Sequence, residues 1–182
     1  MKKRVTLVIT NQMQMDIVVK EGSLKMKLNL GCGEDKKEGY INCDIRKEVK
    51  PDRIIDLIKE LPFEESSINE IYMRHVLEHI PNYDFLMKEM WRVCERNAKI
   101  IILVPFYSSY CMFSSPEHIN FFTPETFNKY ENLFNVKSRI NFFRKGSKFL
   151  DKIINYKQYF YCRFFAWTFP ASQMSYELNV LK

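Results

Sequence analysis

The stretch KLNLGCGEDKKEGYINCDI, residues 27–45, decides the fold. A short apolar strand, KLNLG, runs into Gly31-Cys32-Gly33, and a second apolar run, YINCDI, reaches Asp44 and Ile45. Glycine at a strand end lets the backbone turn sharply and come close to a ligand, because no Cβ stands in the way. A carboxylate at the end of the next strand can accept hydrogen bonds from the hydroxyls of a ribose. In an open parallel sheet, ligands bind beyond the carboxyl ends of the strands. The two features therefore point to one nucleoside-binding site. Only six residues, 34–39, separate Gly33 from Tyr40. A parallel crossover ordinarily takes about a dozen residues or more, so the first crossover helix must be shortened to a turn.

Strand-like and helix-like segments alternate through the rest of the chain, which predicts an α/β fold with a mostly parallel seven-stranded sheet and helices on both faces. RIIDLI (53–58) and INEIYMRHV (68–76) read as the third and fourth strands. AKIIILVPF (98–106) reads as a fifth, apolar enough to be buried on both faces. NVKSRINFF (135–143) is a sixth and residues 174–182 a last one. Tyr83, Leu86, Met87, Met90 and Cys94 recur at helical spacing after Pro81-Asn82. Thr123-Pro124 opens a helix over TPETFNKYENLF by N-cap and first-turn preference. An aromatic segment at 146–169 carries one long helix, 147–167, stopped by Pro170. Residues 26–182 thus form a single domain, preceded by an extension, residues 1–25, whose structure the sequence leaves open.

Composition narrows the function. The 182 residues are 46% hydrophobic and 27% charged, as in ordinary globular proteins. The net charge of +6 suits an acidic partner without requiring one. Five cysteines show no CxxC and no zinc-ligand spacing, which predicts reduced thiols, a cytoplasmic setting and no metal. VTLVI near the start is too short for a signal-peptide core or a membrane span.

LNLGCG…YINCDI followed by DLIKELPFEESSINEIYMRHVLEHI resembles the class I methyltransferases that use S-adenosylmethionine (SAM), and is most similar to their small type 11-like group. The resemblance covers roughly residues 27–135. It implies a Rossmann-like methyltransferase fold with SAM as cofactor. Gly31 and Gly33, with Cys32 between them, would line the methionine and ribose. Asp44 would hold the ribose hydroxyls beside Ile45, and Asp56 with Leu57 would meet the adenine. His75 and Val76 would border the methionine end. Two departures stand out: the acidic residue usual two positions before the first glycine is Asn29, and the third glycine is missing. The competing NAD fingerprint needs G-x-G-x-x-G opening a helix and an acid about twenty residues on; here the acid comes thirteen residues after Gly31.

Methyl transfer from a sulfonium needs positioning above all, and a base only where the acceptor loses a proton. The chain has three histidines, 75, 79 and 118, all placed in loops or strand ends on the ligand side. His118, in SSPEHINFFTPETF, is the candidate acceptor-side base with Glu117 as partner, and His75 is the second catalytic candidate. A bracing role for His118 stands equally open. His79, Tyr107 and Tyr110 are candidate substrate-side residues, with Glu78-His79 equally readable as a capping pair. The fourth strand ends in YMRHV rather than N/D-P-P-Y/F, which argues against nucleobase methylation and makes nucleic acid an unlikely partner. Lys148, Lys152, Lys157 and Arg163 interleave with aromatics in 147–167, a pattern that suits a core-covering helix or peripheral membrane contact. The acceptor expected is a small molecule or glycan, methylated at oxygen. The alternatives are a non-catalytic SAM-binding module and a NAD or nucleotide-sugar enzyme.

Overall fold

The computed structural model describes residues 26–142 and 148–182. The extension 1–25 and the start of the aromatic segment lie outside them. Seven strands form one sheet in the order β3-β2-β1-β4-β5-β7-β6. The strands are β1 (Met26–Leu30), β2 (Ile41–Asp44), β3 (Arg53–Ile54), β4 (Ile68–Arg74), β5 (Cys94–Pro105), β6 (Phe134–Asn141) and β7 (Gln173–Val180). Strands β1 to β5 run parallel, and β7 inserts antiparallel between β5 and β6. The order reverses at β1, whose carboxyl end carries Gly31-Cys32-Gly33.

Register explains which face holds the core. Leu28, Ile71, Ile100 and Leu178 align across four strands, as do Leu30, Met73, Ile102 and Tyr176, and all eight are buried. Helix α1 (Tyr83–Val93) covers this face with Leu86, Met87, Met90 and Val93. Its start is capped as the sequence predicts: the Asn82 side chain accepts from the Phe85 N–H. The alternate residues, Lys27, Glu70, Lys99 and Glu177, share the opposite face and pair as Lys27–Glu70 and Lys99–Glu177, each at 2.8 Å. On that side Ile101 and Leu103 of β5 are only half-buried, so β5 is not buried on both faces as its apolar run suggests. The cause is visible in the element order: among the described residues no α-helix precedes α1, so the β1–β2, β2–β3 and β3–β4 crossovers contribute none.

Two helix expectations give way to packing. Residues 124–133 form successive tight turns with one 3-10 turn at Asn128–Tyr130, not an α-helix. Asn128, Tyr130, Glu131 and Leu133 each donate to the carbonyl three residues back, while Phe122, Phe127, Tyr130 and Phe134 all point into the core. The segment is instead tied to β7, where the Tyr176 hydroxyl donates to the Thr123 carbonyl and its ring meets Phe127 edge-on at 4.6 Å. The long helix breaks at Lys157 into α3 (Lys148–Tyr156) and α4 (Gln158–Phe164). Around the break the side chains replace a missing strand. Asn155 bonds both the N–H and the C=O of Ile140 at 2.8 Å, and Gln158 accepts from Ser138 Oγ and donates to its carbonyl. The free edge of β6 is thereby closed. A third short helix, α2 (Tyr110–Phe113), follows β5 in the chain.

Candidate functional site

The turn after β1 is held by side chains rather than by a helix. Gly31 and Gly33 have φ of +66° and +50°, a region L-residues rarely occupy. Buried Asn29 donates to the Asp35 carbonyl and to Asn42 Oδ1, both at 2.9 Å, and Asn42 Oδ1 also accepts from the Lys37 N–H. The unusual Asn29 is therefore the pin that fixes the shortened crossover. A Cβ on Gly31 would lie 2.3 Å from Val76 Cγ2, so this glycine serves close packing of the turn on Val76. A Cβ on Gly33 would come 3.1 Å from Arg46 Nη2.

Asp44 is buried behind the turn. One carboxylate oxygen accepts from the Gly33 N–H at 2.8 Å, and the other accepts from the Arg46 N–H at 2.9 Å and Nε at 3.2 Å. Burial pushes its pKa up, but these hydrogen bonds and the Arg46 charge outweigh it and hold the group below the ordinary carboxylate range. A pocket of about 300 Å³ opens beside the turn, lined by Gly31, Cys32, Gly33, Arg46, Arg74 and His75 among others. Burial, then the charge of Asp44, raises the Cys32 thiol, so Cys32 is a wall and no nucleophile. Arg46, with its side chain 60% exposed, lies across Asp44. Asp44 itself, with Ile45, Asp56, Leu57 and Val76, does not line the pocket. Ile45 is exposed and Leu57 belongs to the core, while Asp56 accepts from the Ile58 N–H and pairs with Lys59.

The histidines do converge. His75, at φ +54°, donates its N–H to the Leu103 carbonyl at the end of β5, which turns its ring into the pocket. Its Nδ1 lies 3.3 Å from Glu78 Oε1, outside hydrogen-bond geometry. The segment 118–120 is joined to the turn at 77–80. Ile119 and Asn120 donate backbone N–H groups to the Glu78 carbonyl, and the Asn120 amide bonds the carbonyls of Leu77 and Ile80. This sets the His79 and His118 rings edge to face at 4.7 Å. The carboxylate facing the histidines is thus Glu78, fully buried; Glu117 is exposed. Sequence reading treated Glu78 only as a cap. Tyr107 donates its hydroxyl to the Cys162 carbonyl at 2.8 Å and its pKa is pushed up to about 12, by burial first. Tyr110, at the start of α2, is 83% exposed.

A larger apolar cleft of about 690 Å³ lies away from this turn, under α3 and α4, lined by Phe142, Ile154, Phe160, Tyr161, Phe165 and Phe169 among others. Its polar content is too low for nucleoside chemistry, so the smaller pocket at the glycine turn is the cofactor candidate. Around the cleft Tyr156, Tyr159, Phe164 and Trp167 are all more than half exposed. Phe113 meets both Trp167 and Phe121, which carries the aromatic surface to the loop that holds His118.

Residues 39–102 match a family model described as a methyltransferase domain. This is the segment from the shortened crossover to the middle of β5. No curated protein matches the chain. Among solved structures the fold is similar to a SAM-dependent methyltransferase from Archaeoglobus fulgidus, with a TM-score of 0.63 at 19% identity over 85% of this chain and 86% of that one. It is also similar to the YcgJ protein of Bacillus subtilis, with a TM-score of 0.60 at 12% identity over 88% and 93%. A third match is phosphoethanolamine N-methyltransferase 2 of Haemonchus contortus in complex with SAM, with a TM-score of 0.57 at 13% identity over 86% of this chain but 48% of that one. At these identities the structures speak for the fold alone, and the family match covers β2 to the middle of β5 but not the Gly31–Gly33 turn. The residues present are compatible with a SAM cofactor: a glycine turn lines the pocket, and a buried carboxylate held ionised lies directly behind it. Residues 39–102 are thus similar to a methyltransferase domain, on a fold shared with SAM-dependent methyltransferases.

Proposed function

We propose that the protein methylates an oxygen of a small-molecule or glycan acceptor, and that the acceptor class is a glycan carried on a lipid. One observation carries the oxygen assignment: His75 lines the cofactor pocket with the Glu78 carboxylate 3.3 Å behind its Nδ1. SAM, when bound, supplies a methyl group already activated on a sulfonium. The remaining task at a hydroxyl acceptor is removal of its proton, and His75 is placed to take it. The buried Glu78 then steadies the imidazolium that forms. Gly33 and Asp44 hold one another across the turn, so the cofactor side is formed in advance of the reaction.

The lipid assignment rests on the aromatic surface of α3 and α4. Its exposed rings are interleaved with exposed Lys152, Lys157 and Arg163, and the chain carries a net charge of +6. Apolar rings with basic residues complement an anionic bilayer surface. No helix among the described residues is long and apolar enough to cross a membrane, so the contact proposed is peripheral. The test measures S-adenosylhomocysteine release on free and lipid-linked sugars, with the product atom identified by mass spectrometry. His75→Asn should lower kcat by about 10²–10⁴-fold. Methylated nitrogen in the product, or an unchanged kcat, defeats the oxygen reading. Flotation with phosphatidylglycerol vesicles should recover the protein, and with phosphatidylcholine vesicles should not. Phe164→Ser with Trp167→Ser should abolish recovery, and equal flotation of that variant defeats the membrane reading.

A further inference from the structure

We infer that Glu78, His79 and His118 form a site for a first-row divalent cation of the zinc class. Sequence spacing gives no such signal, because the ligands come from two segments far apart in the chain. The fold closes them together: one ligand atom from each lies within 4.8 Å of the other two. In a tetrahedral zinc site with bonds of about 2.0–2.1 Å, ligand atoms stand roughly 3.3 Å apart. Small side-chain rotations therefore complete the coordination. Two imidazoles and one carboxylate are a donor set that zinc and its first-row neighbours accept.

Two further observations point to a cation. Glu78 has no solvent exposure, and neither of its carboxylate oxygens has a hydrogen-bond partner. A buried carboxylate in that condition is strongly unfavourable unless a positive charge meets it. The contact with His75 Nδ1 involves Oε1 alone, which leaves Oε2 for a metal. The second observation is the tautomer of His118. Its Nδ1 lies 3.0 Å from the Met112 carbonyl, and a carbonyl only accepts, so Nδ1 carries a proton, which in the neutral ring leaves the lone pair on Nε2. A ligating histidine that donates its other N–H to a backbone carbonyl is the usual arrangement around a bound metal. The backbone bonds from 119–120 to the Glu78 carbonyl keep both halves in place.

Three protein ligands leave a coordination position for a water or an acceptor oxygen. Resting on the methyl-transfer reading above, that position would hold the acceptor hydroxyl beside His75 and lower its pKa. Metal binding itself is tested without turnover. The full-length protein is stripped with a chelator, and Zn²⁺ is titrated by calorimetry and Co²⁺ by visible absorption. The expected result is one equivalent per chain, with intense Co²⁺ d–d bands of a four-coordinate site. His118→Gln should weaken binding by at least about tenfold while still binding SAM, and His79→Gln provides the same reading should the first variant not fold. His75→Asn should keep the metal while losing kcat, which separates failure of this site from failure of the base assignment. A wild type that binds well below one equivalent, or variants at 79 and 118 that bind as tightly as wild type, overturns the assignment.

Discussion

Replacing Gly31 by alanine tests whether the glycine turn is required by packing. The new methyl carbon would stand 2.3 Å from Val76 Cγ2 and 3.0 Å from Cγ1, both far inside contact distance. Holding an L-residue at φ +66° costs about 1–2 kcal/mol, and forcing a methyl into a packed site about 1–3 kcal/mol. Together the loss is about 2–5 kcal/mol, a large part of the 5–15 kcal/mol that holds a typical domain folded, as an order of magnitude. Urea unfolding followed by circular dichroism reads it directly. Val76→Ala removes both γ carbons and with them the collision, but leaves the dihedral penalty. The double variant should therefore fall short of the sum of the single losses by about 1–3 kcal/mol. A single-variant loss below about 1 kcal/mol, or additivity in the double variant, would refute the reasoning.

Glu78→Gln should make the metal-free protein more stable by about 1–3 kcal/mol, because it removes a buried charge with no hydrogen bond; a lower thermal midpoint in chelator would sink this. Asn155→Ala should cost about 2–4 kcal/mol in a urea melt, since it strips partners from both backbone groups of Ile140, and should raise aggregation at the bared β6 edge. Acid unfolding follows from the carboxylates. Asp44 is held below its usual pKa by hydrogen bonds from Arg46 and Gly33 against the opposing effect of burial, and Asp52 by bonds from Asn42. Because the folded values are depressed, the stability they add is complete above the unfolded value of about 3.9 and is lost as pH falls through the folded values. Asp44→Asn should flatten the stability profile below about pH 4, and an unaltered profile would count against the assignment.

Strands were legible because each carries its signal locally. β1, β2, β4, β6 and β7 fall within a few residues of their apolar runs, and the Asn82 cap marks α1. The six-residue gap before Tyr40 foretold a crossover with no helix. Elements set by distant partners were not legible. The segment after Thr123 has helix-start chemistry, yet its Thr123 carbonyl and Phe127 ring answer to Tyr176 on the distant β7. The break at Lys157 exists because Asn155 and Gln158 serve β6. At the site, the Gly31–Gly33 turn and Asp44 declared themselves through glycine and a strand-end carboxylate. Arg46 over Asp44 and Glu78 among the histidines did not, since neither shows in local periodicity. A surplus buried charge is recognisable only once burial is known.

The shortened first crossover also has a kinetic meaning. The pocket wall between β1 and β2 is a turn pinned by Asn29 and Asn42, with only the exposed side chain of Arg46 across Asp44. A side-chain rotation takes picoseconds to nanoseconds, whereas lids and domains move in microseconds or longer. Cofactor entry through such a wall is not gated by a slow conformational step. The observed rate of SAM association should therefore rise linearly with concentration, without the plateau that a closing lid imposes.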